Sequence, residues 1–307
     1  MEKPQSKQEK IGSHWDNISK RNQNSSLRTR WWQSPTIIKN INQKVSGLPV
    51  NGFSAGLTHK AKEMAGDRSP YSQGISVGCG TGQKEMYLIR HGLVDSFELY
   101  ELSTKRVEIG KELAKKLGVE DRVNFILGDA FKLVTKKECF DFIHWNHSLH
   151  HMLGTEAAIK WSYEVLKKGG MFYMDDYVGP NYLQFSEKTK DVASRVRSVM
   201  PDKYLVNPKQ PEQFLSKDVI PLDKAKLIAS DPSEAADSDK ILSGIKKYFP
   251  GAEITLTGGA IYNTALCDMI GNFDEENDKF ILDLLMIIDE LLAELGENQY
   301  ATALAIK

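Results

Sequence analysis

Gly78, Gly80 and Gly82 close an apolar run at 75–77, and the chain then passes straight into a helical pattern. A strand, a tight glycine turn and a helix start in that order aim backbone N–H groups and the positive helix end at a ligand. Glycines let the backbone approach where a Cβ would collide. The spacing is GxGxG, whereas a dinucleotide fingerprint would need glycine at Gln83. Two acids follow. Glu101 ends the next apolar run, where a carboxylate can accept hydrogen bonds from a vicinal diol. Asp129 sits in Gly128-Asp129-Ala130-Phe131, where it can accept from a ring amino group while Phe131 covers the ring. Asn146 then opens the run Asn-His-Ser-Leu-His-His. Histidine titrates near neutrality and suits proton transfer, so His147, His150 and His151 are candidate bases. In a helix starting near His147 the three would share one face.

These residues need a scaffold that delivers them to one edge. From Gly74 the pattern alternates between short apolar runs and amphipathic stretches. Strands are expected at 75–77, 97–102, 123–127, 140–145 and 171–174, with helices between them. Repeated βα units of this kind mean a parallel sheet with right-handed crossovers, and ligands bind beyond the carboxyl ends of its strands. The alternation breaks after Tyr177. The stretch 178–235 contains Pro180, Pro201, Pro208, Pro211 and Pro221 and is too long for a simple connection, so it reads as an inserted lid. A helix at 238–248, a strand at 253–257, an apolar helix at 275–295 and a strand at 300–306 complete the core. Ser34-Pro35 before Ile37, Ile38, Ile41 and Val45 reads as an N-cap and first turn of an N-terminal helix. The expected division is 1–70, a polar arm and helical cap, and 71–307, the main domain carrying the lid.

Composition restricts the partners. The 307 residues are 41% hydrophobic and 26% charged, with a formal net charge of −1. No global charge argues for nucleic acid. The first 44 residues hold nine Lys and Arg against Glu2, Glu9 and Asp16, which reads as a solvated arm. Cys79, Cys139 and Cys267 are too few and too scattered for a disulfide framework or a zinc site. Cys79 lies inside the glycine turn with no base beside it in sequence. No apolar leader precedes the chain, and the 280–288 stretch is too short and too interrupted to span a bilayer, so a cytoplasmic protein without membrane contact is expected. The 275–295 helix offers a face for a second copy.

Taken together, the glycine turn, Glu101, Asp129 and the terminal helix and strand resemble the class I S-adenosylmethionine-dependent methyltransferases of small-molecule type. The match is good over 70–177 and looser over 238–307. The resemblance implies a doubly wound, mostly parallel, seven-stranded Rossmann-like α/β sheet whose last strand is antiparallel. It implies S-adenosyl-L-methionine as cofactor: Gly78, Gly80 and Gly82 under its methionine end, Glu101 on the ribose, Asp129 and the Ala130 N–H on the adenine, and Asn146 near the sulfonium. The expected reaction is methyl transfer to oxygen or nitrogen of a small-molecule acceptor.

Plainer readings compete. Glycines can merely turn the chain, Asp129 can cap a helix, and the histidines can pack. Asp175 and Asp176 with Asn146 are similar to the Mg²⁺ ligands of catechol-type methyltransferases, but acids at strand ends are common and no metal is assigned. Tyr177 or Asp176 could replace a histidine base, and Tyr177, Tyr182, Phe185, Trp31 and Trp32 could wall the acceptor from water. An RNA methyltransferase and a non-catalytic cofactor-binding module are the alternatives. The acceptor is not legible.

Overall fold

The computed structural model describes residues 7–22 and 27–307. In chain order the elements are α1 (Lys7–Asn22), α2 (Pro35–Ser46), α3 (Ala55–Ala65), β1 (Tyr71–Val77), α4 (Gln83–Arg90), β2 (Val94–Glu101), α5 (Thr104–Leu117), β3 (Val123–Leu127), α6 (Ala130–Leu133), β4 (Phe140–Asn146), α7 (Thr155–Val165), β5 (Leu166–Tyr177), α8 (Glu187–Val199), α9 (Lys224–Ser230), α10 (Ile241–Tyr248), β6 (Glu253–Gly259), α11 (Lys279–Glu294) and β7 (Asn298–Ile306). They build one seven-stranded sheet in the order β3-β2-β1-β4-β5-β7-β6. Strands β1 to β5 run parallel, and β7 runs antiparallel to both β5 and β6. The order reverses between β1 and β4. Their carboxyl ends diverge there, leaving a crevice.

Burial explains why the central strands are apolar on both faces. On one face Ile75, Ile143, Trp145 and Phe172 pack with Ile159 of α7 and Ile241 and Ile245 of α10. On the other, Phe97, Leu99, Phe142 and Tyr173 pack with Ala61 of α3, Met86 of α4 and Val107 of α5. A third cluster joins Trp31, Ala193 of α8, Tyr204, Tyr262 and Leu282 of α11. The segment between β5 and α10 is therefore anchored by its own core. Arg197, buried in α8, donates to the carbonyls of Ser216, Ala265 and Cys267. Along α11 the buried Leu282, Leu285 and Leu292 face inward, and Phe280, Ile287 and Leu291 stay exposed.

The expected N-terminal helix forms as read: Ser34 Oγ accepts from Ile37 N at 3.3 Å, and Pro35 occupies the first turn. The polar arm does not stay solvated. Residues 7–22 form α1, which lies against the start of α5. Asp16 Oδ1 accepts from Ser103 Oγ at 2.5 Å and from Lys105 N at 3.1 Å, neutralising a helix N-terminus. The Arg106 guanidinium stacks 4.0 Å from the Trp15 ring centroid. Ile11, Trp15 and Ile18 supply an i, i+4, i+7 stripe that the surrounding Gln, Asn and Lys obscure in sequence. The rest of the arm, 1–6 and 23–26, lies outside the described residues. Strand ends also move: β1 begins at Tyr71, β2 at Val94, and β5 runs from Leu166 to Tyr177, well beyond the expected 171–174. No helix among the described residues is long and apolar enough to cross a membrane.

The glycine turn is sterically fixed. Gly78, Gly80 and Gly82 hold φ of 68°, 61° and 68°. At Gly82 a Cβ would also meet Leu99 Cδ1 at 2.8 Å and Phe125 Cζ at 2.9 Å. Left-handed backbone costs a non-glycine residue roughly 1–2 kcal/mol, and overpacking a core adds roughly 1–3 kcal/mol. Gly82→Ala is therefore expected to destabilise the fold by about 2–5 kcal/mol, read as the shift in a urea unfolding curve. An unchanged midpoint would mean that the turn and its core contact relax freely.

Candidate functional site

A cavity of about 990 Å³ opens at the carboxyl ends of β1, β2, β3 and β4. The glycine turn, Glu101, Asp129, Ala130 and Asn146 all reach its wall, and Ile11, Trp15 and Ile18 of α1 form part of its roof. The sheet thus brings together the turn, both acids and Asn146, residues spread over sixty-nine positions of sequence, 78 to 146.

Glu101 is 4% exposed. Its Oε2 accepts from Gly80 N at 2.8 Å, and its Oε1 accepts from Leu102 N at 2.8 Å and Ser103 N at 2.9 Å. Burial pushes this carboxyl above its usual range, against the N–H groups of Ser103 and Gly80 and the charge of Arg106. A carboxylate offers about four acceptor sites. Three are taken by backbone, so one is left for a ligand hydroxyl, not the pair that a bidentate diol contact needs. The same side chain also ties the glycine turn to the end of β2.

Asp129 caps α6, its Oδ1 accepting from Phe131 N at 3.0 Å. Its Oδ2 accepts from Gln8 Nε2 at 2.5 Å, and Gln8 Oε1 in turn accepts from Lys132 Nζ at 2.9 Å. The plain capping role and the ligand role use different oxygens. A primary amide already sits where a ring amino group would donate. Phe131 lies edge-on to Trp161, ring centroids 4.9 Å apart, and both line the cavity.

At the β4 end the carboxamide of Asn146 is not free. Its Oδ1 accepts from Lys84 Nζ at 2.5 Å, and its Nδ2 donates to Ser54 Oγ at 3.2 Å. Ser54 passes its own proton to Asp175 Oδ2 at 2.6 Å. Burial lifts the Asp175 carboxyl to about 6 and lowers the Lys84 ammonium from its ordinary value. Lys84 was invisible as a site residue in sequence. Only its place one residue after the helix start, facing the crevice, marks it. Cys79 is half-buried in the turn on the cavity wall, and desolvation raises its thiol well above the ordinary value, which disfavours the nucleophilic thiolate.

The three histidines do not share a helical face. The chain leaves β4 through His147 at φ 52° and makes only a short turn over Leu149–His151. The reason is Asp176. Its Oδ2 accepts from Ser148 N at 2.9 Å and Leu149 N at 2.8 Å, and its Oδ1 accepts from Tyr177 N at 2.8 Å and bonds His150 Nδ1 at 2.5 Å. The backbone wraps around a carboxylate and cannot start a regular helix. His147 is sent the other way, among the rings of Trp31, Trp32, Phe53 and Tyr300 at centroid distances of 5.3–6.3 Å. Its Nε2 is buried with no hydrogen-bond partner. Burial and the Lys84 charge hold His147 well below the ordinary histidine range. Both His147 and His151 line the cavity. Trp31 and Trp32, expected to wall the acceptor from water, lie against His147, and Tyr177 lies against His150 at 6.0 Å. The catechol-type arrangement does not form: Asp175 is bonded to Ser54, and Asp176 is consumed by His150 and backbone.

Residues 72–217 match a family model described as a methyltransferase domain. A demethylmenaquinone methyltransferase of Leptospira interrogans is 32% identical over 115 residues, 37% of this chain and 46% of its own. A 27-O-demethylrifamycin SV methyltransferase of Amycolatopsis mediterranei is 30% identical over 140 residues, 44% of this chain and 49% of its own. The chain thus spans about half the length of these curated relatives. Among solved structures, the [4+2]-cyclase SpnF superposes with a TM-score of 0.53 at 14% identity, over 99% of this chain and 98% of that one. A geranyl diphosphate C-methyltransferase of Streptomyces coelicolor gives 0.51 at 13% identity over 99% of both chains. At such identities the superpositions show the shared fold.

Proposed function

We propose that this chain, matched over residues 72–217 by a methyltransferase-domain model, is a class I S-adenosylmethionine-dependent methyltransferase that transfers a methyl group to an oxygen or nitrogen of a small-molecule acceptor. The observation that carries this reading is Glu101: a buried carboxylate on the cavity wall, tied to the glycine turn and keeping one acceptor site. Asp129 fits the same ligand, since its outer oxygen already holds the N–H of an amide. The cofactor, when bound, supplies a methyl group activated by its sulfonium. Glu101 would hold the ribose, Asp129 the adenine amino group, and Phe131 and Trp161 the ring faces. The three positive-φ glycines would let the methionine end lie on the backbone.

The choice of oxygen or nitrogen rests on His147. Methylating a hydroxyl or a protonated amine leaves a proton to be removed. A buried nitrogen without a partner is costly and calls for an explanation. Nε2 of His147 has that character and stands one residue beyond Asn146, at the strand end next to the glycine turn. A left-handed non-glycine residue at such a place stores roughly 1–3 kcal/mol of strain. We assign it the role of proton acceptor. Trp31, Trp32, Phe53 and Tyr300 exclude water around it, so the proton passes from acceptor to imidazole. His150 and His151, bonded to Asp176 and Ser233, are held in place by the loop and lid.

Glu101→Gln is expected to weaken cofactor binding by about 1.5–3 kcal/mol, one charge-assisted hydrogen bond, as measured by calorimetry. Glu101→Ala should cost more, because it also strips the acceptor from three backbone N–H groups. A glutamine variant with unchanged affinity would remove Glu101 from the ribose role.

His147→Ala is expected to lower turnover by roughly 10²- to 10⁴-fold while the cofactor dissociation constant stays within about twofold, since the imidazole acts on the acceptor's proton. In the parent enzyme the ascending limb due to this group lies on the acid side of pH 6.5, the ordinary histidine value of about 6.5 being lowered by burial and by Lys84. Only the neutral ring accepts a proton, so kcat should be flat through the neutral range. Normal turnover of the variant with the true acceptor would sink the assignment.

A further inference from the structure

We propose that His150, His151 and Glu234 form a divalent transition-metal site at the edge of the cavity, independent of the methyl-transfer reading. The ligand-type atoms of these three residues all lie within 4.8 Å of one another. They come from two remote segments: the turn after β4 and the lid stretch that follows α9.

The tautomers support metal ligation. His150 Nδ1 is bonded to Asp176 Oδ1, and Asp176 is fixed by three backbone N–H groups. A carboxylate only accepts, so Nδ1 carries the hydrogen. His150 Nε2 faces Glu234 Oε1 at 3.7 Å. In the neutral ring with its hydrogen on Nδ1, that nitrogen is an acceptor facing a carboxylate, a pair that a metal cation between them would satisfy. His151 has the same architecture. Ser233 Oγ gives its hydrogen to Asp231 Oδ1 at 2.5 Å, so towards His151 Nδ1, 3.2 Å away, it can only accept. That fixes the hydrogen on Nδ1 and leaves the Nε2 lone pair of His151 free. A histidine whose other nitrogen donates to a carboxylate or a carboxylate-backed hydroxyl is the usual outer-shell support of a metal ligand.

A second observation points the same way. Asp231 is 3% exposed, and its Oδ2 is buried without a hydrogen-bond partner, 3.8 Å from both His151 Nδ1 and His14 Nε2. The lid therefore brings two carboxylates against the histidine pair, the half-buried Glu234 and the buried, half-unsatisfied Asp231. Two imidazoles and a carboxylate suit zinc, cobalt, iron or manganese better than magnesium or calcium. Three protein ligands leave at least one position open, and His151 lies on the cavity wall. A tetrahedral site with bonds of about 2.1 Å needs ligands roughly 3.4 Å apart. Closing the present spread would draw Glu234, and with it the lid, towards β4.

The competing arrangement is an imidazolium at His150 bridging Asp176 and Glu234 with no metal. The test uses the full chain stripped of metal by chelation. Calorimetry with Zn²⁺ and visible absorption with Co²⁺ are expected to give one tight ion per chain and a Co²⁺ spectrum of mixed nitrogen and oxygen ligation. Glu234→Gln should weaken Zn²⁺ binding at least tenfold, and His150→Ala with His151→Ala should abolish it. If a variant fails to fold by circular dichroism, imidazole ¹⁵N spectra of the parent decide: added Zn²⁺ should shift Nε2 of both His150 and His151. No binding to the parent, binding indifferent to Glu234, or spectra showing His150 doubly protonated and unmoved by Zn²⁺ would each overturn the proposal.

Discussion

One buried carboxylate organises the edge of the sheet where β4 and β5 end. Asp176 is fully buried yet charged, a state that costs several kcal/mol unless the charge is compensated. Three N–H groups, from Ser148, Leu149 and Tyr177, and the imidazole of His150 provide that compensation. Each donor must come to a fixed point at the end of β5, so the chain leaving β4 has little choice of path. It enters a left-handed residue at His147, turns tightly around the carboxylate, and reaches α7 only after Gly154. The positions of His147, on the aromatic side, and of His150 and His151, on the lid side, both follow from that anchoring.

Glu101 applies the same logic at the other end of the crevice. Its three backbone hydrogen bonds link the tip of the glycine turn to the β2–α5 junction. The residue proposed to bind the ligand is thus also a structural strut that fixes the turn through protein contacts of its own. Such preorganisation lowers the ordering cost of binding. A second buried pair secures the helix that follows: Glu85 of α4 bonds His144 of β4 at 2.7 Å and Ser76 of β1 at 2.7 Å. The start of α4 is therefore held to both strands that flank the switch point.

Much of this was legible in the sequence, for identifiable reasons. Alternating apolar runs and amphipathic stretches report burial, and the parallel core and the strand-end positions of Glu101 and Asp129 follow from it; the cap at Ser34 follows from the Ser-Pro pair at a helix start. The glycine spacing reports backbone conformation directly, and the three positive φ values bear it out. The histidine run misled because helical spacing assumes that the backbone is free to be helical. Asp176, twenty-six residues from His150, decides otherwise. Lys84 escaped notice because a lysine near a helix start is ordinary until a strand end places Asn146 beside it. Helix α1 was hidden because three apolar residues in a polar stretch form a stripe only when a groove exists to receive them.

The parts that could not be read are those where distant segments meet. The glycine-turn side of the cavity is assembled mostly from contiguous βα units, whose order the sequence declares. The surroundings of His147, His150 and His151 come from Trp31 and Phe53 before the sheet begins, Asp231 and Glu234 in the lid, and Tyr300 on the last strand. No local pattern links these residues, and their proximity depends on packing in a third core that forms only when the lid, α8 and α11 have docked. The surroundings of the histidine run are thus built from long-range contacts. A shared fold at 13–14% identity leaves them open, because they come from segments that the fold does not prescribe.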